Sequence, residues 1–103
     1  MNYVDVLKAL ADEKRLQIMC LLIHGSKCVC EIEPALNTSQ SSTSKHLIKL
    51  NGVGLIQSVK RGQWVHYYIP DEVFTRYPFV KQLIEAVSLE ISQNQKERME
   101  SVK

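Results

Sequence analysis

A chain of 103 residues suits one compact domain built on one small core, with little room for a second. Its formal charge of +2, from 13 basic and 11 acidic residues, is too small to name a partner by itself. No run of about 18 consecutive apolar residues occurs and the opening, MNYVDVLKALADEKRL, lacks the order of a secretory signal, so a cytoplasmic location is expected.

Val4, Leu7 and Ala11 recur at helical spacing with Leu10 beside them, which predicts a short helix from about Tyr3 to Leu10. It carries more apolar surface than its length can bury alone. Asp12 suits the N-cap of a second helix, Glu13 to about His24, with Leu16, Met19, Cys20 and Ile23 as the inward stripe and Gly25 as the stop. Cys20 on that stripe reads as a core residue. His24 reads as a partner of the helix C-terminus or of solvent.

Cys28 and Cys30 stand at the head of a third helix, from about Cys28 or Val29 to Leu36. Three cysteines are an odd number at unsuitable spacing for a disulfide framework, and two close thiols in a reducing compartment point to metal or redox chemistry. At about 100° per residue, positions i and i+2 of a regular helix point roughly 200° apart. One soft ion held by both sulfurs is therefore expected to unwind the local backbone. Pro34 has no N–H for the carbonyl of Cys30 and biases Glu33 away from α geometry, which lowers the cost of that distortion. A helix that starts later, with Pro34 in its first turn, is the other reading.

Asn37 can close this helix in the left-handed conformation and Ser39 can cap the next, leaving a turn of about three residues. From Gln40 to about Asn51, Thr43, Leu47 and Leu50 make an inward stripe and leave Gln40, Ser41, Ser44, Lys45 and Lys49 outside. Glutamine pairs with adenine, short hydroxyls reach phosphates or base edges, and lysines supply phosphate charge, so this face reads as a DNA-binding surface. His46, beside the inward face, reads as structural. Between Pro34 and Pro70 there is no Asp or Glu, and Lys45, Lys49, Lys60 and Arg61 make that window +4 and the rest of the chain −2.

Gly52 and Gly54 end the DNA-reading helix, and LIQSVKR and QWVHYYI around Gly62 predict a β-hairpin whose tip carries Lys60, Arg61 and Gln63 toward a duplex edge. Val65, Tyr67 and Ile69 alternate with Trp64, His66 and Tyr68, so one side can pack on the domain. His66 has no second ligand at matching strand spacing and reads as a packing residue. After a turn of helix around DEVFTRYP, the segment from Phe79 to about Ser92 is amphipathic through Val80, Leu83 or Ile84, Val87 and Ile91, and 96–103 is a polar tail after a single domain, 1–95. The apolar stripes of the first and last helices together predict a homodimer, which presents two reading helices to a palindromic operator.

The phrase LADEKRLQIMCLL, the CVCEI box, the segment ALNTSQSSTSKHLIKL and the RGQWVHYYI wing resemble the ArsR/SmtB family of winged-helix metal-sensing repressors over nearly the whole chain. The resemblance implies a mostly α winged helix-turn-helix fold with a small β-hairpin, dimeric through its N- and C-terminal helices, that binds operator DNA when free of metal and releases it when a toxic ion binds. A Cys-x-Cys box at this place is similar to that of arsenite and antimonite sensors, which carries As(III) or Sb(III) as inducer onto Cys28 and Cys30, with no organic cofactor. The third cysteine such a box commonly has stands here as Glu33, no cysteine precedes Cys20, and no histidine follows Phe79. What remains is a two-thiol site. Two thiolates satisfy a methyl or aryl As(III) species completely, so such arsenicals are expected to be sensed at least as well as arsenite. The alternatives are a sensor of Cd(II), Pb(II) or Zn(II) with added ligands such as Glu33, His24 or a partner residue, and a thiol-redox sensor. No enzyme is expected: the chain has no phosphate-binding glycine motif, thioredoxin-like Cys-x-x-Cys or oriented third group beside a nucleophile.

Overall fold

The structure, a computed structural model, describes the backbone of residues 2–101 and the side chains of residues 2–92. The side chains of the expected polar tail, 96–103, lie outside the described residues. In chain order the elements are α1 (Tyr3–Leu10), α2 (Glu13–Leu22), β1 (Lys27–Cys28), α3 (Val29–Leu36), α4 (Gln40–Gly52), β2 (Gln57–Arg61), β3 (Trp64–Tyr68), α5 (Asp71–Arg76) and α6 (Phe79–Ser101).

The helices start where short polar side chains can accept the unpaired N–H groups of a first turn. Asn2 accepts from Asp5 N at 2.9 Å, Asp12 from Arg15 N at 3.1 Å and Ser39 from Ser42 N at 3.2 Å. Asn37 closes α3 at φ 52°, ψ 48°, the left-handed conformation that asparagine tolerates, and so turns the chain toward Ser39 and α4. Thr43, fully buried, satisfies its hydroxyl by donating from Oγ1 to the Ser39 carbonyl at 2.9 Å, and it lies inward with Leu47 and Leu50.

The inward stripes of the first two helices differ from expectation. On α1 the buried residues are Val6, Ala9 and Leu10, whereas Val4 and Leu7 are about half exposed. On α2 they are Ile18, Met19 and Leu22, with Leu16, Cys20 and Ile23 only packed against the core. The cause is location: α2 touches α1, α3, α4 and α6, so it is covered on several sides and no single stripe describes it. Val80 and Ile84 of α6 complete the core from the C-terminal side.

The sheet has one more strand than the hairpin alone. Its order is β1-β3-β2, antiparallel throughout, with Lys27 opposite Tyr67 and Cys28 opposite His66 across β1 and β3. The hairpin pairs Gln57 with Tyr68 and Arg61 with Trp64, leaving Gly62 and Gln63 as a two-residue turn. Gly62 takes φ +63° while Gln63 does not enter the positive region, the pattern of a type II′ turn that suits strand twist. Packing deepens from tip to base: Val65 is 39% exposed and Ile69 only 8%. The wing thus projects from the domain while its base is seated in the core.

Candidate thiol site and nucleic-acid interface

Cys28 lies outside the helix, and this overturns the expected thiol geometry. It is the N-cap of α3, extended at φ −69°, ψ 150°, and Val29 is the first helical residue. The 200° separation applies only when both residues have helical dihedrals. From the N-cap the Cys28 side chain folds back over the first turn, and its Sγ meets that of Cys30 with the Cα atoms 5.1 Å apart, as a disulfide in this structure. No unwinding is needed to bring the sulfurs together.

The cap is reciprocal. The Cys30 N–H donates to Cys28 Sγ at 3.2 Å, and the Cys28 N–H donates to Glu31 Oε1 at 3.0 Å. Serine or threonine usually fills the first of these roles, with glutamate three residues on. Cys28-x-x-Glu31 has that spacing, and this was the sequence signal for an N-cap at Cys28. The two residues are unequal: Cys28, at the end of β1, is 3% exposed, whereas Cys30 is open to solvent. Cys28 lies at the junction of β1 and α3.

His66 stands opposite Cys28 in the β1–β3 register, which puts both on one face of the sheet. Glu33 is half-buried, with one carboxylate oxygen that has no hydrogen-bond partner, and it lines an open cavity of about 550 Å³ with Pro34, Asn37, Thr38, Ser39 and Gln40. Among the described residues no group of three or more His, Cys, Asp or Glu side chains is arranged to hold a metal ion. The donor set in place is two adjacent sulfurs, which fits a soft, thiophilic guest and not a hard cation. Cys20 stands apart as a free, half-buried thiol whose Sγ is 3.9 Å from the Ile84 carbonyl, and His24 is exposed.

Gln40, Ser41, Ser44, Lys45 and Lys49 are exposed on α4, and Lys60, Arg61 and Gln63 are exposed at the wing tip. Ile48, absent from the sequence-based set, shares the outer face of α4 and is 69% exposed. Behind that face, α4 is tied to α2. Arg15 donates to the carbonyls of Lys8 and Ala9 and lies 3.4 Å from His46 Nδ1, and Asp12 is 3.8 Å from the same ring nitrogen. Partial burial raises the Asp12 pKa, but the Arg15 backbone N–H, the Arg15 guanidinium and His46 outweigh it and leave the carboxyl below its ordinary value.

Residues 12–58, from the N-cap of α2 into β2, match the model of the family described as bacterial regulatory protein, arsR family. The chain is 34% identical over 90 residues to a cadmium resistance regulatory protein CadC homolog of Staphylococcus aureus, covering 86% of this chain and 69% of that protein. The chain belongs to the arsR family. It is 42% identical over 71 residues to the arsenical resistance operon repressor of Escherichia coli, covering 68% of this chain and 61% of that protein. Among solved structures, the homodimeric winged helix-turn-helix DNA-binding domain from Mycobacterium bovis superimposes with a TM-score of 0.67 at 29% identity, covering 91% of this chain and 82% of that one. The fold is that of a winged helix-turn-helix DNA-binding domain, and the chain spans about three fifths of the length of the arsenic-resistance regulators it matches. No helix among the described residues is long and apolar enough to cross a membrane.

Proposed function

We propose that the chain is a homodimeric repressor that holds a palindromic operator while Cys28 and Cys30 are free and releases it when they take up As(III) or Sb(III). The observation that carries this reading is the sulfur pair, preassembled at a helix N-cap with one sulfur open and the other buried against the wing strand. The relatives named for arsenical and cadmium resistance support a thiophilic inducer.

The acting form is the dithiol. With a monosubstituted arsenical, R–As(OH)2, each thiol gives up its proton, two As–S bonds replace two As–O bonds, and two waters leave. Arsenite reacts in the same way at two positions and keeps one hydroxyl. The Cys30 N–H and the start of α3 stabilise negative charge on Cys28 Sγ as it attacks. Gln40, Ser41, Ser44 and Lys45 enter the major groove, Lys49 reaches phosphate, and Lys60, Arg61 and Gln63 of the wing contact the duplex alongside. Exposed Val4 and Leu7 on α1 and Leu89 on α6 supply the dimer surface.

Fluorescence anisotropy on operator DNA tests the reading. Methylarsenite releases DNA from the reduced wild type at or below the concentration of arsenite required, and Cys28→Ser and Cys30→Ser bind DNA normally but no longer respond. Release by arsenite at far lower concentration than methylarsenite refutes the two-donor site. A second reading follows from the disulfide itself: a peroxide oxidises the dithiol, taking two electrons and two protons, and the disulfide is the released form. Operator release by peroxide, reversed by dithiothreitol and unaccompanied by release with arsenicals, selects that reading.

A further inference from the structure

Ser41, Ser44, Lys45 and Ile48 follow the spacing i, i+3, i+4 and i+7, a single stripe turned away from buried Thr43, Leu47 and Leu50. Three members of that stripe are polar. The fourth, Ile48, is the most exposed large hydrophobic side chain among the described residues. A lone surface isoleucine ordinarily needs no explanation, but this one has Lys45 one turn before it and Lys49 beside it. That setting suits a polyanion and disfavours an apolar protein face.

We propose that Ile48 reads a thymine in the major groove and fixes a T·A pair in each operator half-site. The inference rests on the operator-binding reading above and deepens it. Of the four bases only thymine presents a methyl group on its major-groove edge, whereas the others present donors and acceptors. Isoleucine over thymine buries methyl against methyl; over guanine, cytosine or adenine it covers polar groups without pairing them. At 1.5 Å per residue Ile48 lies about 10 Å along the helix from Ser41, roughly three base-pair steps, so it reads a position that Gln40 and Ser41 do not reach.

The test selects an operator from a random duplex library with the reduced wild type, then replaces each thymine in turn by deoxyuridine, which removes only the 5-methyl group. One position per half-site weakens wild-type binding about fourfold, the effect of one buried methyl. Ile48→Ala binds the thymine operator more weakly by a similar factor and no longer distinguishes thymine from uracil there, while Ile48→Val retains most of the discrimination. Unchanged discrimination in Ile48→Ala, or none at any position in the wild type, overturns the proposal with the operator reading intact. Absence of any duplex binding that weakens with added salt overturns both.

Discussion

Because Cys28 is a cap in the structure and a ligand in the proposed function, the two roles come apart under two substitutions. Serine keeps an acceptor for the Cys30 N–H, now 3.2 Å from Sγ, and keeps the reciprocal bond from the Cys28 backbone to Glu31. Alanine leaves that N–H without a partner at the start of an eight-residue helix. Losing a side-chain N-cap costs about 1 kcal/mol, and a change of that size shifts the melting temperature of a domain this small by roughly 4–8 °C. Under reducing conditions and at one fixed protomer concentration, Cys28→Ala is expected to melt that far below wild type. Cys28→Ser is expected to melt within about 2 °C of wild type, since its hydroxyl is satisfied where it is buried. Circular dichroism melts, paired with anisotropy on operator DNA, then separate the roles: Cys28→Ser folds, binds DNA and ignores methylarsenite. Equal melting of the two variants removes the cap assignment, and an intact arsenical response in Cys28→Ser removes the ligand assignment.

Asp12 sets an acid limit. Its folded pKa lies below the ordinary carboxylate value, so the stability it adds is complete above the unfolded value near 3.8 and fades as pH falls through the lower folded value. Wild type and Asp12→Ala should therefore differ by about 1 kcal/mol at pH 6, mostly the cap to Arg15, and the difference should shrink in urea titrations carried out below that window, as the charge is lost while the neutral carboxyl still accepts. Leu7, 51% exposed on α1, is placed to meet a second copy, and sedimentation of Leu7→Glu is expected to show monomer where wild type sediments as dimer, with unchanged helical content. Hydrogen exchange with and without phenylarsine oxide is expected to change protection in β3 around His66 as well as in α3; a change confined to α3 removes the wing from the response.

Helix α4 was legible because it packs on one side only: Thr43, Leu47 and Leu50 face one core, so a 3.6-residue period describes them. Val4, Leu7 and Ala11 also recur at helical spacing along α1 and its C-cap, yet Val4 and Leu7 are exposed while the off-stripe Val6 and Ala9 are fully buried. Periodicity detects an apolar face without saying which chain covers it. The two-residue strand at Lys27 and Cys28 has no period, and it exists only because β3, far along the chain, offers a free edge. The thiol pair was found and its geometry misread for a related reason. A helix boundary displaced by one residue moves Cys28 from a helical to an extended dihedral pair, and side-chain direction depends on that choice more than on spacing.

That single boundary also changes what an inducer has to do. If the thiols lay half a turn apart, binding would draw them together and its energy would go into unwinding α3. With Cys28 at the N-cap its side chain already turns toward Cys30, so on the proposed reading a guest bridges two thiolates without unwinding α3 and acts on a buried residue whose side chain caps α3 and whose backbone pairs with β3. An inducer shifts an equilibrium only by the difference in its affinity for the two states, so it must bind more tightly to the form that leaves DNA. A hundredfold release requires about 2.7 kcal/mol of such difference. Loss of one cap and one strand bridge, at about 1 kcal/mol each, comes near that figure. On the proposed reading α4 and the wing would then lose their common support at the same point, Cys28, whose side chain caps α3 and whose backbone pairs with β3.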